Sequence, residues 1–522
     1  MEKQDVLESS TQRTKGVDAL NSNIEASKAL SEILKTTLGP MGRDKMLIDS
    51  TGNTVITNDG VKILKEMEIE HPGAQLLVEV AKTQETQIGD GTTSAVILTG
   101  ELLNQAQQLL NKGIHPTQIS KLFKQATEKT LEELKDLSIE ISSSKKKAIK
   151  DLAATAMTGK LAESSKEQLS QLLLQCAESL EYSIEKNSIS LVKATGSSIE
   201  KSQFVKGVIL DKKRAHPNMP DKIKNPKILL IQSPLEIQEL ENNASVSISN
   251  AKEYEEFLAA EKQYLEHLSE AISNSGANVV ISQQGIDDTL ASYLAQKGII
   301  AIRRVKKSDM EKLSKALNTP IISIDDPFPE KLAQSGEINV KNINNEEYIF
   351  IENCPNPKSL SLLLRASTKQ TLDELERAFE DALGVVQTGL ESKKIVAGGG
   401  ATELELHKKI QEYAKKHPGK DQLIIQKYAK ALLSIPNTLC ENAGLEKIET
   451  ISTLISNHEN NLNNSGLSGE EVVKNTIQNA IIEPETLKYQ AIKSATETAT
   501  MILRIDDIIA AKQIEYDKTY EE

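Results

Sequence analysis

The spacing of hydrophobic residues changes twice along this chain, and that change constrains the fold more than any other feature. Apolar residues recur at helical spacing near the start, as from Asn21 to Leu38, and again from residue 401 to Ala511. After Ser190 the chain carries short β-rich runs spaced by helical stretches: 227–232, 278–282, 299–303 and 319–324. We therefore predict an α/β or α+β middle domain between mainly helical ends.

The length of 522 residues indicates about three or four domains, because single hydrophobic cores stop growing near 250 to 300 residues. Serines and lysines interrupt the apolar pattern at 142–147, where we place the first boundary. A net charge of -13 and only 3% aromatic residues argue against a nucleic-acid partner. The polar start and the lack of any run of about 18 apolar residues predict a cytoplasmic chain with no signal peptide or membrane span.

The cysteines argue against a disulfide framework or a zinc site, since Cys176, Cys354 and Cys440 are far apart and odd in number. Four of the seven histidines precede proline, a context that favours turns over a metal-binding helix face. The GxxxxGK[ST], GxSxG and HExxH motifs are missing. A Walker-type ATPase, a serine hydrolase and a zincin are therefore all disfavoured by motif.

A glycine-rich segment offers a phosphate site instead. Gly89-Asp90-Gly91-Thr92-Thr93-Ser94 precedes an apolar helical run, so free backbone N–H groups and hydroxyls should lie at a helix N-terminus, where anions are favoured. Asp90 adds a carboxylate for a hard cation such as Mg²⁺. The alternative is a simple helix N-cap, because Asp, Thr and Ser are also preferred there.

Several motifs, in their order along the chain, resemble the chaperonin family. They are Thr37-Leu38-Gly39-Pro40, Thr57-Asn58-Asp59-Gly60, the Gly89 to Ser94 segment and Val396-Ala397-Gly398-Gly399-Gly400. The stretches 305–313, 441–445, 490–497 and 501–507 resemble the group II branch, which contains the archaeal thermosome and the eukaryotic cytosolic chaperonins. The likeness covers roughly Thr11 to Ala511 and is strongest to the archaeal thermosome.

This resemblance implies a multidomain α and α/β fold. A mainly helical equatorial domain would comprise 1–144 and 399–522, and a small α/β intermediate domain 145–213 and 358–398. The α/β apical domain would span 214–357, with a helical lid protrusion at about 240–273. Arg365-Ala366-Ser367-Thr368 stands where relatives usually have Arg-Gly-Gly-Thr, a departure expected to stiffen the link between domains.

The resemblance also implies a site for ATP or ADP with Mg²⁺. Asp90 would bind the metal, and Asp59 and Asp381 would be the catalytic carboxylates, with Asp381 positioning or deprotonating the attacking water. The nucleotide would be bound by Gly39, Gly91, Thr92, Thr93, Ser94, Gly159, Lys160, Gly399, Gly400, Glu483 and Lys488. Without the family, Asp59 is simply a turn former, and Asp381 and Lys160 are surface residues.

Non-native polypeptides are the implied clients. The helical run Ala251–Ser273 carries Tyr254, Phe257, Leu258, Leu265, Leu268 and Ile272 on a broad face, and 287–297 offers Leu290, Tyr293 and Leu294 toward a groove. The alternative is ordinary packing of these helices on their own domain. Other chaperonin subunits in a double ring are implied partners, and a prefoldin-type co-chaperone is a candidate; no separate lid protein is implied.

Three functions compete at this point. The first is an ATP-hydrolysing foldase, which the presence of Asp59 and Asp381 favours. The second is a specialised subunit that binds nucleotide weakly and mainly contacts substrate. The third is an unrelated phosphotransferase, which would be a monomer or small oligomer.

Overall fold

The computed structural model describes residues 12–48, 52, 54–141, 145–160, 165–184, 188–237, 251–324, 326, 332–354 and 360–510. The chain divides into two compact units, a terminal unit of Met1–Lys166 with Ala378–Glu522 and a central unit of Glu167–Arg377. Residues 240–250 of the predicted lid and 142–144 of the predicted first boundary lie outside the described residues. No helix in the described part is long and apolar enough to cross a membrane.

The α-helices of the described residues run as follows: α1 (Gly16–Lys35), α2 (Gly60–Glu66), α3 (Pro72–Gln87), α4 (Thr92–Leu110), α5 (Pro116–Leu137), α6 (Lys145–Met157), α7 (Lys166–Ser179), α8 (Ala251–Asn274), α9 (Asp288–Gln296), α10 (Lys307–Leu317), α11 (Lys369–Ser392), α12 (Ala401–Ala414), α13 (Lys420–Leu432), α14 (Ser434–Asn442), α15 (Lys447–Glu459) and α16 (Glu485–Ile502).

The strands are β1 (Gln12–Lys15), β2 (Lys45–Ile48), β3 (Thr54–Thr57), β4 (Ile139–Glu140), β5 (Ile189–Thr195), β6 (Gln203–Val205), β7 (Gly207–Leu210), β8 (Lys222–Lys224), β9 (Lys227–Ile231), β10 (Val279–Ser282), β11 (Ile300–Ile302), β12 (Ala333–Gln334), β13 (Glu337–Ile343), β14 (Glu346–Glu352), β15 (Leu360–Ala366), β16 (Lys394–Ala397), β17 (Gly466–Ser468), β18 (Glu471–Val473), β19 (Ile482–Pro484) and β20 (Asp507–Ala510).

The terminal unit is built around a helical core. Helices α1, α3, α4, α5, α12, α13 and α16 bury one continuous apolar cluster, which includes Leu34, Leu77, Leu102, Phe123 and Ile492. Small sheets lie around this core: β1 pairs with β20, β2 with β3, β17 with β18, and β16 lies between β19 and β4. The two ends of the chain therefore share one core, as non-local packing of amphipathic helices allows.

The central unit contains three sheets, ordered β11-β10-β9-β12, β7-β14-β13-β8 and β5-β15-β6. In the first, β9, β10 and β11 are parallel, and the side chains of β9 alternate between two cores. Ile228 and Leu230 pack in the cluster that contains Met310 of α10, whereas Leu229 packs in the cluster that contains Leu290 of α9. Helices on both faces explain why these strands are continuously apolar.

Most of the predicted elements are confirmed. A helix precedes Gly39, two helices flank Gly89–Gly91, and strands occur within 227–232, 278–282 and 299–303. The prediction of a strand at 319–324 was wrong. Ile322 alone among these residues pairs with a strand, through an isolated bridge to Ile231. Its side chains pack as an irregular segment beside the end of β9, so β-propensity alone did not produce a ladder.

The predicted client-binding faces divide between surface and core. On α8, Tyr254, Phe257 and Leu258 are exposed, while Leu265 and Ile272 are buried against the parallel sheet of the central unit. The prediction that α9 faces a groove is wrong for Leu290 and Leu294. Both side chains are fully buried in the same cluster of the central unit.

Candidate active site

The segment before α4 has the geometry of an anion site. Gly91 is the N-cap residue, in the left-handed conformation with φ 80°, and no side chain caps the helix. Thr92 and Thr93 are buried in the first turn, and Ser94 follows them. The simple N-cap alternative therefore fails, because the N-cap is a glycine without a side chain. The N-terminal N–H groups of α4 remain suited to an anion.

The start of α2 lies beside this turn. A Cβ atom placed on Gly60 would be 2.7 Å from Thr93 Oγ1, so only glycine allows this approach. Asp59 is the N-cap of α2 and accepts hydrogen bonds from the N–H groups of Val61 and Lys62, each at 3.1 Å. Asp59 thus performs the structural role of the alternative interpretation and also brings a carboxylate to the α4 N-terminus.

Two glycine turns meet near the same place. Gly39 and Gly159 both have left-handed backbones, with φ of 82° and 78°. A Cβ atom on Gly159 would overlap the Gly39 carbonyl oxygen and lie 2.9 Å from Pro40 Cα. Asn58 Nδ2 donates to the Gly159 carbonyl at 2.7 Å, and Asn442 Nδ2 donates to the Leu38 carbonyl at 2.8 Å. These bonds fix both turns.

Lys160 and Asp381 form a largely buried ion pair, with side chains 17% and 13% exposed. Burial raises the pKa of Asp381, and the nearby carboxylates of Asp90 and Asp59 raise it further, against the effect of Lys160. Burial opposes the charge of Lys160, but Asp381, Asp90 and Asp59 together raise its pKa. The positive charge of Lys160 therefore offsets the charges of three predicted site carboxylates. Removing Lys160 would leave these negative charges facing one another.

Close glycine packing brings α11 to the site. A Cβ atom on Gly384 of α11 would lie 2.8 Å from the Ile88 carbonyl oxygen, and one on Gly89 would lie 3.2 Å from Gly384 Cα. Asp381 is one turn before Gly384 on the same helix. Sequence reasoning missed Gly384, which occupies an ordinary position within an amphipathic stripe.

A further carboxylate, Glu85, was also missed. It lies in the last turn of α3, and burial together with Asp59 and Asp90 raises its pKa to about 7, against Lys160 and Lys65. Gln84, its fully buried neighbour, donates from Nε2 to the Asp90 carbonyl at 3.0 Å and to the Leu487 carbonyl at 3.4 Å. Gln84 thereby ties the Asp90 turn to the start of α16.

The second half of the site forms where β16 runs into α12. Gly399 and Gly400 have left-handed backbones with φ of 63° and 77°, and Gly400 is the N-cap of α12. A Cβ atom on Gly399 would overlap the Leu467 carbonyl oxygen, and one on Gly400 would lie 3.0 Å from Pro436 Cβ. The Leu467 N–H donates to the Gly399 carbonyl at 2.9 Å. The β17–β18 hairpin is thereby held against this turn.

Glu483 and Lys488 form a buried cluster with a residue that sequence reasoning missed, Glu403. Lys488 Nζ lies 2.7 Å from Glu403 Oε1 and also pairs with Glu483 Oε2. Burial raises the pKa of Glu483, and Glu403 adds to this rise against the effect of Lys488. The Asp90 carboxylate raises it too, which indicates that both halves of the site share one electrostatic environment.

These residues fit a nucleotide with a hard cation. Glycine turns and a helix N-terminus present backbone N–H groups to phosphates, and Asp90 offers a carboxylate. Within the described residues, no cluster of three or more His, Cys, Asp or Glu side chains could hold a metal by itself. Mg²⁺ usually takes one or two carboxylates and completes its shell with substrate phosphates and waters, so a single aspartate suits it.

The chain is similar in sequence to known proteins along almost its whole length. The family model described as the TCP-1/cpn60 chaperonin family matches residues 30–513. The thermosome subunit beta of Methanothermobacter thermautotrophicus is 47% identical over 513 residues, which is 97% of this chain and 94% of that protein. The thermosome subunit of Methanopyrus kandleri is 43% identical over 517 residues, covering 98% of this chain and 95% of that protein.

The thermosome subunit alpha of Methanothermobacter thermautotrophicus is 44% identical over 524 residues, covering 99% of this chain and 96% of that protein. Such identity over almost the whole length, with the family model covering most of the chain, leaves no doubt about the relationship. The chain belongs to the TCP-1/cpn60 chaperonin family.

Proposed function

We propose that this chain is a Mg²⁺-dependent ATPase subunit of a group II chaperonin, a double ring that encloses and folds non-native proteins. The observation that carries the proposal is the Lys160–Asp381 ion pair beside Asp59 and Asp90 at the N-terminus of α4. A phosphate chain bound at α4 would bring its terminal phosphate to these charges. A helix N-terminus suited to anions and carboxylates suited to positioning water support the proposal.

The proposed reaction transfers the terminal phosphoryl group of ATP to water. The water oxygen bonds to the γ-phosphorus, the bond from that phosphorus to the bridging oxygen breaks, and ADP leaves with the electron pair. Asp381 receives the proton of the attacking water, a role that its raised pKa favours, and Asp59 helps to orient the water. Mg²⁺, held by Asp90, would neutralise phosphate charge.

Lys160 provides the proposed link between chemistry and movement. Lys160 pairs with Asp381. A terminal phosphate would compete for the same ammonium, so the contacts of Lys160 and Asp381 would depend on nucleotide state. Because both residues belong to the proposed intermediate domain, 145–213 with 358–398, this competition would bias closure of a built-in lid.

The other proposed domains follow the family division. The equatorial domain, 1–144 with 399–522, would bind nucleotide through Gly39, Gly91, Gly399 and their neighbours. The apical domain, 214–357, would bind clients and carry the lid at about 240–273. The exposed aromatic residues Tyr254 and Phe257 of α8 support a client-binding or lid role for this helix.

Assembly with other chaperonin subunits is part of the proposal. Met46, Ile48 and Ile56 of the β2–β3 hairpin are exposed, and the register places Met46 opposite Ile56 on one face. An exposed apolar face on a two-stranded hairpin with open edges is suited to a protein contact. A cytoplasmic location, non-native polypeptide clients and a prefoldin-type co-chaperone complete the proposed setting, with no separate lid protein.

Steady-state ATP hydrolysis tests the proposal. Light scattering first establishes that the purified protein is assembled, and the rate is then measured with Mg²⁺ for the wild type and Asp381→Ala. We expect the variant to lose about 10²- to 10⁴-fold in rate, the usual contribution of a general base, while retaining ATP binding by equilibrium dialysis. The matched control is Asp373→Ala, an exposed aspartate on the same helix that pairs with Lys193.

The control should hydrolyse ATP at the wild-type rate. If Asp381→Ala hydrolyses ATP as fast as the control, the role assigned to Asp381 is wrong. If the assembled wild type binds ATP but does not hydrolyse it, this subunit has a binding role or requires partner subunits.

A further inference from the structure

The buried cluster beyond the Gly399–Gly400 turn has an unusual charge balance. Glu403 and Lys488 are 5% and 4% exposed, and Lys488 contacts both Glu403 and Glu483. Two carboxylates therefore share one ammonium, which leaves one excess negative charge in a region with little water. Burying an uncompensated charge is costly, so such a cluster is stable only where donors reach it.

The three members differ in how far they reach the surface. Glu403 Oε2 is buried and has no hydrogen-bond partner among the described residues. Glu483 keeps 24% of its side chain exposed, although its Oε2 is itself buried and lies in ion-pair contact with Lys488. Lys488 thus contacts one oxygen of the Glu483 carboxylate, while part of the Glu483 side chain stays accessible to solvent.

Glu483 lies on the strand next to the one that leads into the Gly399–Gly400 turn, which the proposed function assigns to the nucleotide. Its strand pairs Glu483 with Val396, three residues before Gly399, and α16 begins two residues after it. Acidic side chains near a nucleotide commonly accept hydrogen bonds from ribose hydroxyls, which are donors that would offset the excess negative charge. Lys488 contacts Glu403 and Glu483 at the same time, so each carboxylate shares the single positive charge of that ammonium with the other.

We propose that Glu403 is a positioning residue that sets ribose recognition by this site: it shares the positive charge of Lys488, so the Glu483 carboxylate is only partly neutralised and stays a stronger acceptor for the ribose hydroxyls. This inference rests on the proposed nucleotide-binding function. Without the charge of Glu403, Lys488 and Glu483 would form a closed one-to-one pair. Glu483, which already contacts Lys488 through Oε2, would then meet the whole charge of that ammonium and become a weaker acceptor for the ribose.

The test is the ratio of affinities for ADP and 2′,3′-dideoxy-ADP, measured on the full chain by displacement of a fluorescent nucleotide. Glu403→Gln keeps the shape of the side chain and removes its charge. We expect the wild type to prefer ADP and Glu403→Gln to lose about threefold to tenfold of that preference, the scale of one hydrogen bond. ATP hydrolysis at saturating ATP should change less than the ATP concentration needed for half the maximal rate.

The matched control is Glu405→Gln, two residues further along α12. Glu405 is also a buried carboxylate, but it pairs with His458 and Lys408 and not with the cluster. The Glu405→Gln variant should have lower thermal stability than the wild type and the same preference for ADP. In a Glu483→Gln background, adding Glu403→Gln should change the preference no further, because the residue through which it acts has been removed.

Three results overturn the inference: a wild type without preference for the ribose hydroxyls, an unchanged preference in Glu403→Gln, or additive effects in the double variant. A wild type that prefers ADP but does not hydrolyse ATP would refute the proposed ATPase and leave the inference supported by the binding ratios. A wild type that binds neither nucleotide would refute both.

Discussion

Replacing Gly159 by alanine should disturb the site through the backbone, although no catalytic side chain is removed. Gly159 has φ 78°, a conformation that costs a residue with a Cβ atom about 1–2 kcal/mol. The new Cβ would also overlap the Gly39 carbonyl oxygen and lie 2.9 Å from Pro40 Cα. Reaching ordinary contact at 3.4 Å would move Pro40 Cα by 0.5 Å (3.4 − 2.9). Overpacking of this kind typically costs about 1–3 kcal/mol more.

The functional effect should exceed the loss of stability. The displaced turn carries Gly39, and Lys160 follows Gly159 directly, so both predicted phosphate contacts would shift. Misplacement by about 1 Å can cost about 10²-fold in rate, and we therefore expect at least about a tenfold loss in ATP hydrolysis from half that shift. The assay is the steady-state rate with Mg²⁺, alongside thermal unfolding of the same samples.

Gly113→Ala separates the cost of placing alanine in a left-handed backbone from the cost of the overlap with Gly39 and Pro40. Gly113 lies in the turn between α4 and α5, has φ 77°, and a Cβ atom there would meet nothing within 4 Å. It should lose about 1–2 kcal/mol in stability and hydrolyse ATP within about twofold of the wild-type rate. Equal losses of rate and melting temperature in Gly159→Ala and Gly113→Ala would refute the argument from the Gly39 contact.

Two further predictions concern Glu85 and Ala366. The pKa of Glu85 is about 7 in the folded protein, above the ordinary value of 4.5, so folding takes up a proton between these pH values. Glu85 therefore destabilises the fold as pH rises through that window. Without nucleotide or Mg²⁺, Glu85→Gln should therefore melt higher than the wild type at pH 8, with the difference fading toward pH 5; a constant difference would contradict this. Ala366 is fully buried at the end of β15, in register with Thr195, so Ala366→Gly should lower stability by about 1–2 kcal/mol through lost burial and greater chain entropy. Hydrogen exchange of the β5 and β15 amides would measure this loss of stability. Unchanged protection in Ala366→Gly would show that the alanine side chain does not stabilise the strand pair.

The departure from the usual Arg-Gly-Gly-Thr sequence can be explained locally. Ala366 has no left-handed backbone and belongs to a regular parallel pairing with β5. Arg365 donates from Nε to the Ala194 carbonyl at 2.9 Å, which fixes the same strand pair. The alanine side chain at 366 is thus buried within a regular strand pair of the central unit, and the stiffening of the link between domains stays a prediction.

The sequence by itself determined the local elements and the parts of the site that depend on backbone conformation. Gly91 could be singled out from its segment alone, whereas Gly39, Gly159, Gly399 and Gly400 came from the resemblance to the family. All five have left-handed backbones, which explains why glycine stands at each. Helical periodicity predicted α1 and α4, since a helix with one buried face repeats its apolar residues. The order of these motifs also revealed the family.

Only the tertiary structure decided which distant residues complete the site. Glu403, Gln84 and Gly384 carry no local signal: an acidic residue early in a helix, a glutamine on a helix and a glycine in a stripe are each ordinary. Their importance comes from contacts with residues far away in the chain, such as Glu403 with Lys488. The apolar run 319–324 and Leu290 were misjudged for the same reason, because neighbours in space and not propensity decide strand pairing and burial. Periodicity records which face of an element is apolar, whereas packing determines what that face meets.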